Sequence, residues 1–192
     1  PHIDFATINV SSPNTEKLRD LQGKAALEDL LGRVNAANAR LSNSIPIFLK
    51  IAPDLTESEV QDIADLALKA KISAIICTNT TVDRSGLTSA DRDQKGGLSG
   101  RPLFKRSTRI LAQISAATDQ KIDIIGVGGI SSTEDAYAKI QAGACAVQIY
   151  SAMVYEGLSL IPKIAKGIDA RLASDGFETV QHAIGTNTNS WL

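Results

Sequence analysis

The sequence predicts an α/β fold with a parallel sheet, and within that class a (β/α)8 TIM barrel of which this chain supplies about the last five βα units. Three observations lead there. Short apolar runs alternate five times with longer helical stretches. The apolar runs lack in/out alternation and so read as strands covered on both faces. Each run also ends, on its carboxyl side, in a polar or glycine-bearing cluster: "NVSSPNT", "KIAPD", "TNTT", "GVGG" and "IYS". A doubly wound sheet gathers its site near one switch point. Clusters at every strand end fit a barrel mouth better, because there all the ends ring one opening. A barrel needs eight strands, so about three are expected from an N-terminal portion of the same protein. The chain starts at Pro1, without a Met and almost directly in a strand. Residues 1–192 then read as the C-terminal part of a single barrel domain.

The elements follow in order. Residues 4–10 ("DFATINV") form a strand. Residues 23–41 form a helix with Leu27, Leu30, Leu31 and Val34 as its apolar stripe. Residues 45–52 ("IPIFLKIA") are a strand. Residues 57–70 are a helix, with Thr56 as N-cap and Glu59 as its capping-box partner. Residues 72–78 are a strand, followed by a long polar loop over 82–100. A helix over 104–118, a strand over 122–127, a helix over 132–143 and a strand over 144–152 come next. The last helix covers 159–176, with Pro162 in its first turn, where proline is tolerated.

The 192 residues suffice for one domain with a real core. Apolar residues make up 43% and charged residues 21%, as in an ordinary globular protein. A net charge of −1 gives no basic surplus for nucleic acid, and 4% aromatics give no stacking platform for bases. Cys77 and Cys145 each sit in an apolar run and read as buried, reduced thiols. His2 and His182 have no partner at metal-ligand spacing, so no metal site is expected.

The strand-end clusters carry the chemistry. "GVGGISS" (126–132) joins a strand to a helix. It is either a phosphate cradle of backbone N–H groups at a helix N-terminus or a tight turn that needs glycine. Ser151 in "QIYSA" and the glycines of "GGLSGRP" come to the same end and favour a phosphorylated ligand. Lys50, inside "IFLKIA", either meets an anion or polarised acceptor or snorkels to the rim. Asn79 and Thr80 either grip a ligand edge or cap their own loop. Asn9 and Asn14 flank Ser11, Ser12 and Pro13, a stiff turn able to hold a planar polar ligand. Neither histidine lies near a strand end, so no Ser-His-Asp arrangement is expected.

Seven motifs in this order, "INVSSPNT", "KIAPDLT", "TNTTVDR", "GGLSGRPL", "IIGVGGISS", "AGACAVQIYSA" and "GFETVQHAIG", resemble dihydroorotate dehydrogenase over essentially the whole chain. The resemblance implies a (β/α)8 barrel that carries flavin mononucleotide (FMN) and oxidises dihydroorotate to orotate in pyrimidine (UMP) synthesis. Members with cysteine in the loop before proline are the soluble class 1; members with serine there are the membrane-associated, quinone-reducing class 2. Ser12 places this chain with class 2. The resemblance makes Ser12 the catalytic base, Asn9 a contact of both FMN and substrate, and Asn14, Asn79 and Thr80 substrate ligands. It assigns FMN contacts to Lys50, Thr78, Gly100, Gly129, Tyr150 and Ser151. It implies dihydroorotate, orotate and a quinone as partners and a peripheral place at a membrane, the cytoplasmic side of a bacterial inner membrane, through an N-terminal part absent here. Glu16 and Lys17 depart from the family, which carries a small residue and then glycine there. Leu158 and Ser159 replace two frequent prolines. The rival readings are a class 1-like or dihydropyrimidine-dehydrogenase-like flavoenzyme with a soluble acceptor, a non-redox phosphate-binding barrel, and a bare binding module.

Overall fold

The computed structural model describes residues 2–15 and 17–192. Five strands, β1 (Ala6–Asn9), β2 (Ile47–Ile51), β3 (Ala74–Cys77), β4 (Asp123–Val127) and β5 (Ala146–Gln148), form one parallel sheet in sequential order. Helices α1 (Lys24–Asn38), α2 (Glu57–Lys69), α3 (Phe104–Ala117) and α4 (Thr133–Gln141) are the crossovers between successive strands. Sequential parallel order with a helix between each pair is the topology of consecutive βα barrel units.

The helices cover one face of the sheet. Leu49, Ile51, Ile75, Cys77 and Ile124 point into a core with Leu27 and Leu31 of α1, Ile63 of α2, and Leu111 and Ile114 of α3. The strand register places the alternate residues together on the other face. Asn9, Lys50, Ile76, Ile125 and Ala146 form one row, and Val127 and Gln148 belong to the next. This corrects the expectation that every strand is covered on both faces. Only β3 is buried throughout; β2 alternates buried and half-buried, and β1 and β5 are open. Apolar composition shows that a strand is buried but not on which side, and among the described residues no layer packs on the second face.

Local signals hold where they rest on capping. Thr56 and Glu59 make the reciprocal capping box of α2, with Thr56 N–H donating to Glu59 Oε2 at 2.8 Å. The expected strand over 144–152 is shorter. The chain leaves it at Tyr150 and turns at once into α5 (Ser151–Glu156), which ends at Gly157 with φ of 72°. The last long helix, α6 (Leu160–Asp175), carries Pro162 in its first turn. A short helix α7 (Val180–Ala183) and a 3-10 turn at Thr188–Trp191 close the chain, and Trp191 stands edge-on to Phe104 at 5.9 Å. A 3-10 turn at Leu18–Gln22 precedes α1. Of the two family departures there, Glu16 lies outside the described residues. Lys17 has φ of 58°, the left-handed conformation that glycine adopts freely.

Candidate functional site

All five carboxyl ends of the strands lie at one edge of the sheet, and Lys50 of β2 with the segments that follow β3, β4 and β5 builds a cleft of about 530 Å³. Lys50 reaches it from the open face of β2. Half-buried and with no acceptor in hydrogen-bond reach among the described residues, its ammonium is pushed below its ordinary value by burial. A cation kept there without a partner is suited to an anionic or polarised ligand edge.

Beside it stands a small amide–hydroxyl cluster. Asn9 Oδ1 accepts from Ser11 Oγ at 2.8 Å and from Asn79 Nδ2 at 3.3 Å, and Asn79 Nδ2 also donates to Ser11 Oγ at 3.1 Å. Asn79 Oδ1 accepts from the Thr80 N–H at 2.8 Å. These contacts fix the acceptor side of both amides. The Asn9 amide nitrogen keeps its donors free among the described residues. Thr78 is buried, and its hydroxyl donates to the Asn79 carbonyl at 2.8 Å.

The far wall is glycine. Gly128 and Gly129 have φ of 109° and 77°, and a Cβ on Gly129 would meet the Phe104 backbone at 2.6 Å. Their turn leads into α4, capped by Ser132, whose Oγ accepts from the Asp135 N–H at 3.1 Å. Gly100, φ 73°, and Ser151 complete that wall. Ser151 and Ser99 share a hydrogen bond of 2.9 Å, which ties the 82–100 loop to the end of β5. Left-handed glycines with a capped helix beyond them form a wall where backbone can approach a ligand closely, a setting suited to a phosphate.

The family model described as Dihydroorotate dehydrogenase matches residues 1–172. The chain belongs to the dihydroorotate dehydrogenase family. A relative from Cereibacter sphaeroides, named dihydroorotate dehydrogenase (quinone), is 55% identical over all 192 residues, which make up 54% of its length. A mitochondrial dihydroorotate dehydrogenase (quinone) from Oryza sativa subsp. japonica is 43% identical over 97% of this chain and 41% of its own. The structure of dihydroorotate dehydrogenase from Eimeria tenella in complex with ferulenol superposes with a TM-score of 0.91 at 36% identity, covering 95% of this chain and 53% of that one. The ligand-free form of the Eimeria enzyme gives 0.92 at 37% identity, over 96% and 55%. The chain spans about half the length of the curated relatives it matches.

Of the residues that the dihydroorotate dehydrogenase resemblance singles out, Lys50, Thr78, Asn79, Thr80, Gly100, Gly129, Tyr150 and Ser151 line the one cleft. Asn9 joins it through Asn79. Ser12 is half-buried at the edge of the cluster, and its Oγ accepts from the Asn14 N–H at 3.3 Å. Asn14 faces a second groove, with Pro13, Val82, Arg84 and Gly96. Sequence reasoning missed Gln148 and Ser99 in the main cleft. Gln148 carried the same signal as Lys50, a polar side chain inside an apolar strand. Ser99 carried none.

Proposed function

We propose that this chain is the C-terminal part of the barrel of a quinone-dependent dihydroorotate dehydrogenase, which binds FMN and oxidises (S)-dihydroorotate to orotate in the synthesis of UMP. The observation that carries the reading is the pairing, in one cleft, of a cation unpartnered among the described residues with a glycine cradle. Lys50 stands near the Asn9–Ser11–Asn79 cluster, and Gly128 and Gly129 open the wall at the far side. A planar, phosphate-bearing cofactor fits that pair. Lys50 would hold the ring edge, Thr78 would lie against the ring, and Gly100, Gly129 and Ser151 would receive the phosphate. FMN, when bound, supplies the two-electron acceptor for the C5–C6 bond of the substrate.

The protein residues divide the remaining work. Asn9, Asn79 and Thr80 would hold the pyrimidine ring by its polar edges, the Asn9 amide nitrogen offering the donors that are free among the described residues. Asn14, which faces the second groove, would contact the ring from that side. Ser12 removes the proton from C5; a free serine is a weak base, so it acts in a closed, dry site with a relay for the proton, and such a positioned group contributes about 10²–10⁴-fold. The electrons pass on to a quinone at a membrane surface reached through the N-terminal portion of the protein. That portion would also supply the first barrel strands. Among the described residues no helix is long and apolar enough to cross a membrane.

The visible absorption spectrum of the full-length protein tests this reading. Flavin bands that bleach anaerobically with dihydroorotate and return on addition of a quinone are expected. A colourless protein that gains no flavin on incubation with FMN overturns it.

A further inference from the structure

Lys139, on α4, heads the fully buried side chains by volume, with 0% of its surface exposed. The proposed reaction makes no use of it. Its ammonium donates to Ser107 Oγ at 2.8 Å and to Thr108 Oγ1 at 2.9 Å, both on α3, and stands 5.2 Å from the centre of the Phe104 ring. Among the described residues it has no carboxylate within ion-pair distance. An ammonium buried without a counter-ion is costly, and an apolar side chain of similar length would fill the same space.

The groups it touches lead to the glycine wall. Ser107 Oγ, accepting from Lys139, shares its own proton between the carbonyls of Gly128 and Phe104, each at 3.1 Å. Thr108 Oγ1 donates to the Phe104 carbonyl at 2.7 Å. A Cβ on Gly126 would meet the Lys139 stem at 3.1 Å, and one on Gly128 would meet Ser107 Oγ and Leu103 at 2.9 Å. The turn therefore rests on a platform in which Lys139 is the charge.

We propose that Lys139 is a positioning residue of the phosphate cradle: from beneath the Gly128–Gly129 turn it fixes the turn through Ser107 and lends its positive charge to the phosphate group of the bound cofactor. The proposal rests on the reading of the cleft as an FMN site. A charge in the interior is poorly screened and acts on a dianion bound above it. The same burial pushes the ammonium down to about 7 in the empty site, with the Asp135 carboxylate opposing the shift.

FMN and riboflavin, which share a ring and differ in the phosphate, separate this role from simple packing. Flavin-free, full-length protein is titrated with each and binding is read by flavin fluorescence. In Lys139→Met the affinity for FMN should fall roughly ten-fold, the scale of one removed charge at interior dielectric, while that for riboflavin stays. Lys139→Gln, which keeps a donor for Ser107 without the charge, should show the same selective loss. Equal weakening of both flavins, or no weakening of FMN, overturns the proposal.

The unaltered protein gives a third reading that needs no variant. A bound dianion raises the Lys139 pKa, so the preference for FMN over riboflavin is greatest near pH 7, above the second phosphate ionisation at about 6, and is lost as pH rises through the raised value. The groups facing Lys139 do not confuse this. Cys77 of β3 is pushed up to about 12 by burial and stays a thiol. Asp135 of α4 is engaged with the N–H and Oγ of Ser131, and α3 presents only hydroxyls and a ring. Lys50 would act on the ring, common to both flavins, and cancels in the ratio. A ratio that is flat from about pH 6.5 to 9.5 overturns the proposal. Unaltered protein that binds neither flavin, or binds both equally well at neutral pH, overturns instead the FMN reading of the cleft.

Discussion

Arg19 and Asp54 meet at 2.9 Å, and the pair ties together the loops that follow β1, β2 and β3. Arg19 Nε donates to the Ser11 carbonyl at 3.2 Å, and its Nη2 to the Thr80 carbonyl at 2.8 Å. Asp54, from the loop after β2, accepts the Arg19 Nη1–H, the Val82 N–H at 3.0 Å and the Thr81 hydroxyl. Arg106 of α3 approaches the same carboxylate at 3.5 Å. The two loops that carry Ser12 and Asn79 are thus held against one guanidinium, whose planar fork fixes direction as well as distance.

Replacing Arg19 by alanine should therefore misplace both loops together. Flavin reduction by dihydroorotate should slow roughly ten-fold or more, because small losses of alignment are costly in a positioned site. FMN content should hardly change, since the cradle lies at the other wall. Arg19→Lys should recover little, as an ammonium cannot reach two carbonyls and a carboxylate in one plane. Anaerobic stopped-flow reduction, read beside the flavin-to-protein ratio, checks this. A full reduction rate in Arg19→Ala would remove the clamp from function.

Lys50 gives a prediction with two signs. Burial alone depresses its pKa, so the empty protein carries an uncompensated charge. Lys50→Met should then leave the flavin-free protein as stable as before or slightly more so, by thermal melting. It should also weaken FMN retention and slow flavin reduction by about 10²-fold, the usual scale for removing one group that stabilises developing charge. Unchanged flavin content with unchanged reduction kinetics takes Lys50 out of the site.

Lys17 holds a left-handed backbone, φ 58°, at a position where the sequence resemblance leads to an expectation of glycine. A side chain there costs about 1–2 kcal/mol, partly offset by the extra freedom glycine gains when unfolded. Lys17→Gly should raise the melting temperature by a degree or two without changing FMN content, measured by calorimetry on the holoprotein. A lower melting temperature would mean that the lysine side chain contributes more than its backbone costs.

What was legible in the sequence was local. The Thr56–Glu59 box and the charge of Lys50 inside an apolar run announce themselves within a few residues. The cleft residues at the strand ends were legible because a barrel brings all those ends to one place. The clamp was not. Arg19 sits in a polar stretch, and its partner Asp54 lies 35 positions on, so only folding shows that they meet. Lys139 was hidden differently. It follows Ala136 in a short amphipathic helix, where a lysine reads as solvated surface. The end of β5 was overextended because "AVQIYSA" is rich in strand-favouring residues up to the point where Tyr150 turns the chain.

The last prediction separates two adjacent serines. Ser11 is fully buried and bonded on both sides, donating to Asn9 and accepting from Asn79. Its hydroxyl is therefore committed to holding the two amides in place. Ser12 is half-buried, and the one bond its Oγ has among the described residues is the 3.3 Å contact from the Asn14 N–H. Such a hydroxyl remains available to a ligand. Ser12→Ala should slow flavin reduction by about 10²–10⁴-fold, with FMN bound and stability kept. Ser12→Cys should retain part of the rate, because a thiolate forms far more readily than an alkoxide. Ser11→Ala should act through geometry. It should lower the melting temperature by the loss of buried hydrogen bonds, about 1–3 kcal/mol, and weaken substrate binding, while the pH dependence of reduction stays as before. Stopped-flow reduction across pH for the three variants decides. If Ser12→Ala reduces at the unaltered rate and Ser11→Ala abolishes reduction and its pH dependence, the proton goes to Ser11 and the assignment is reversed.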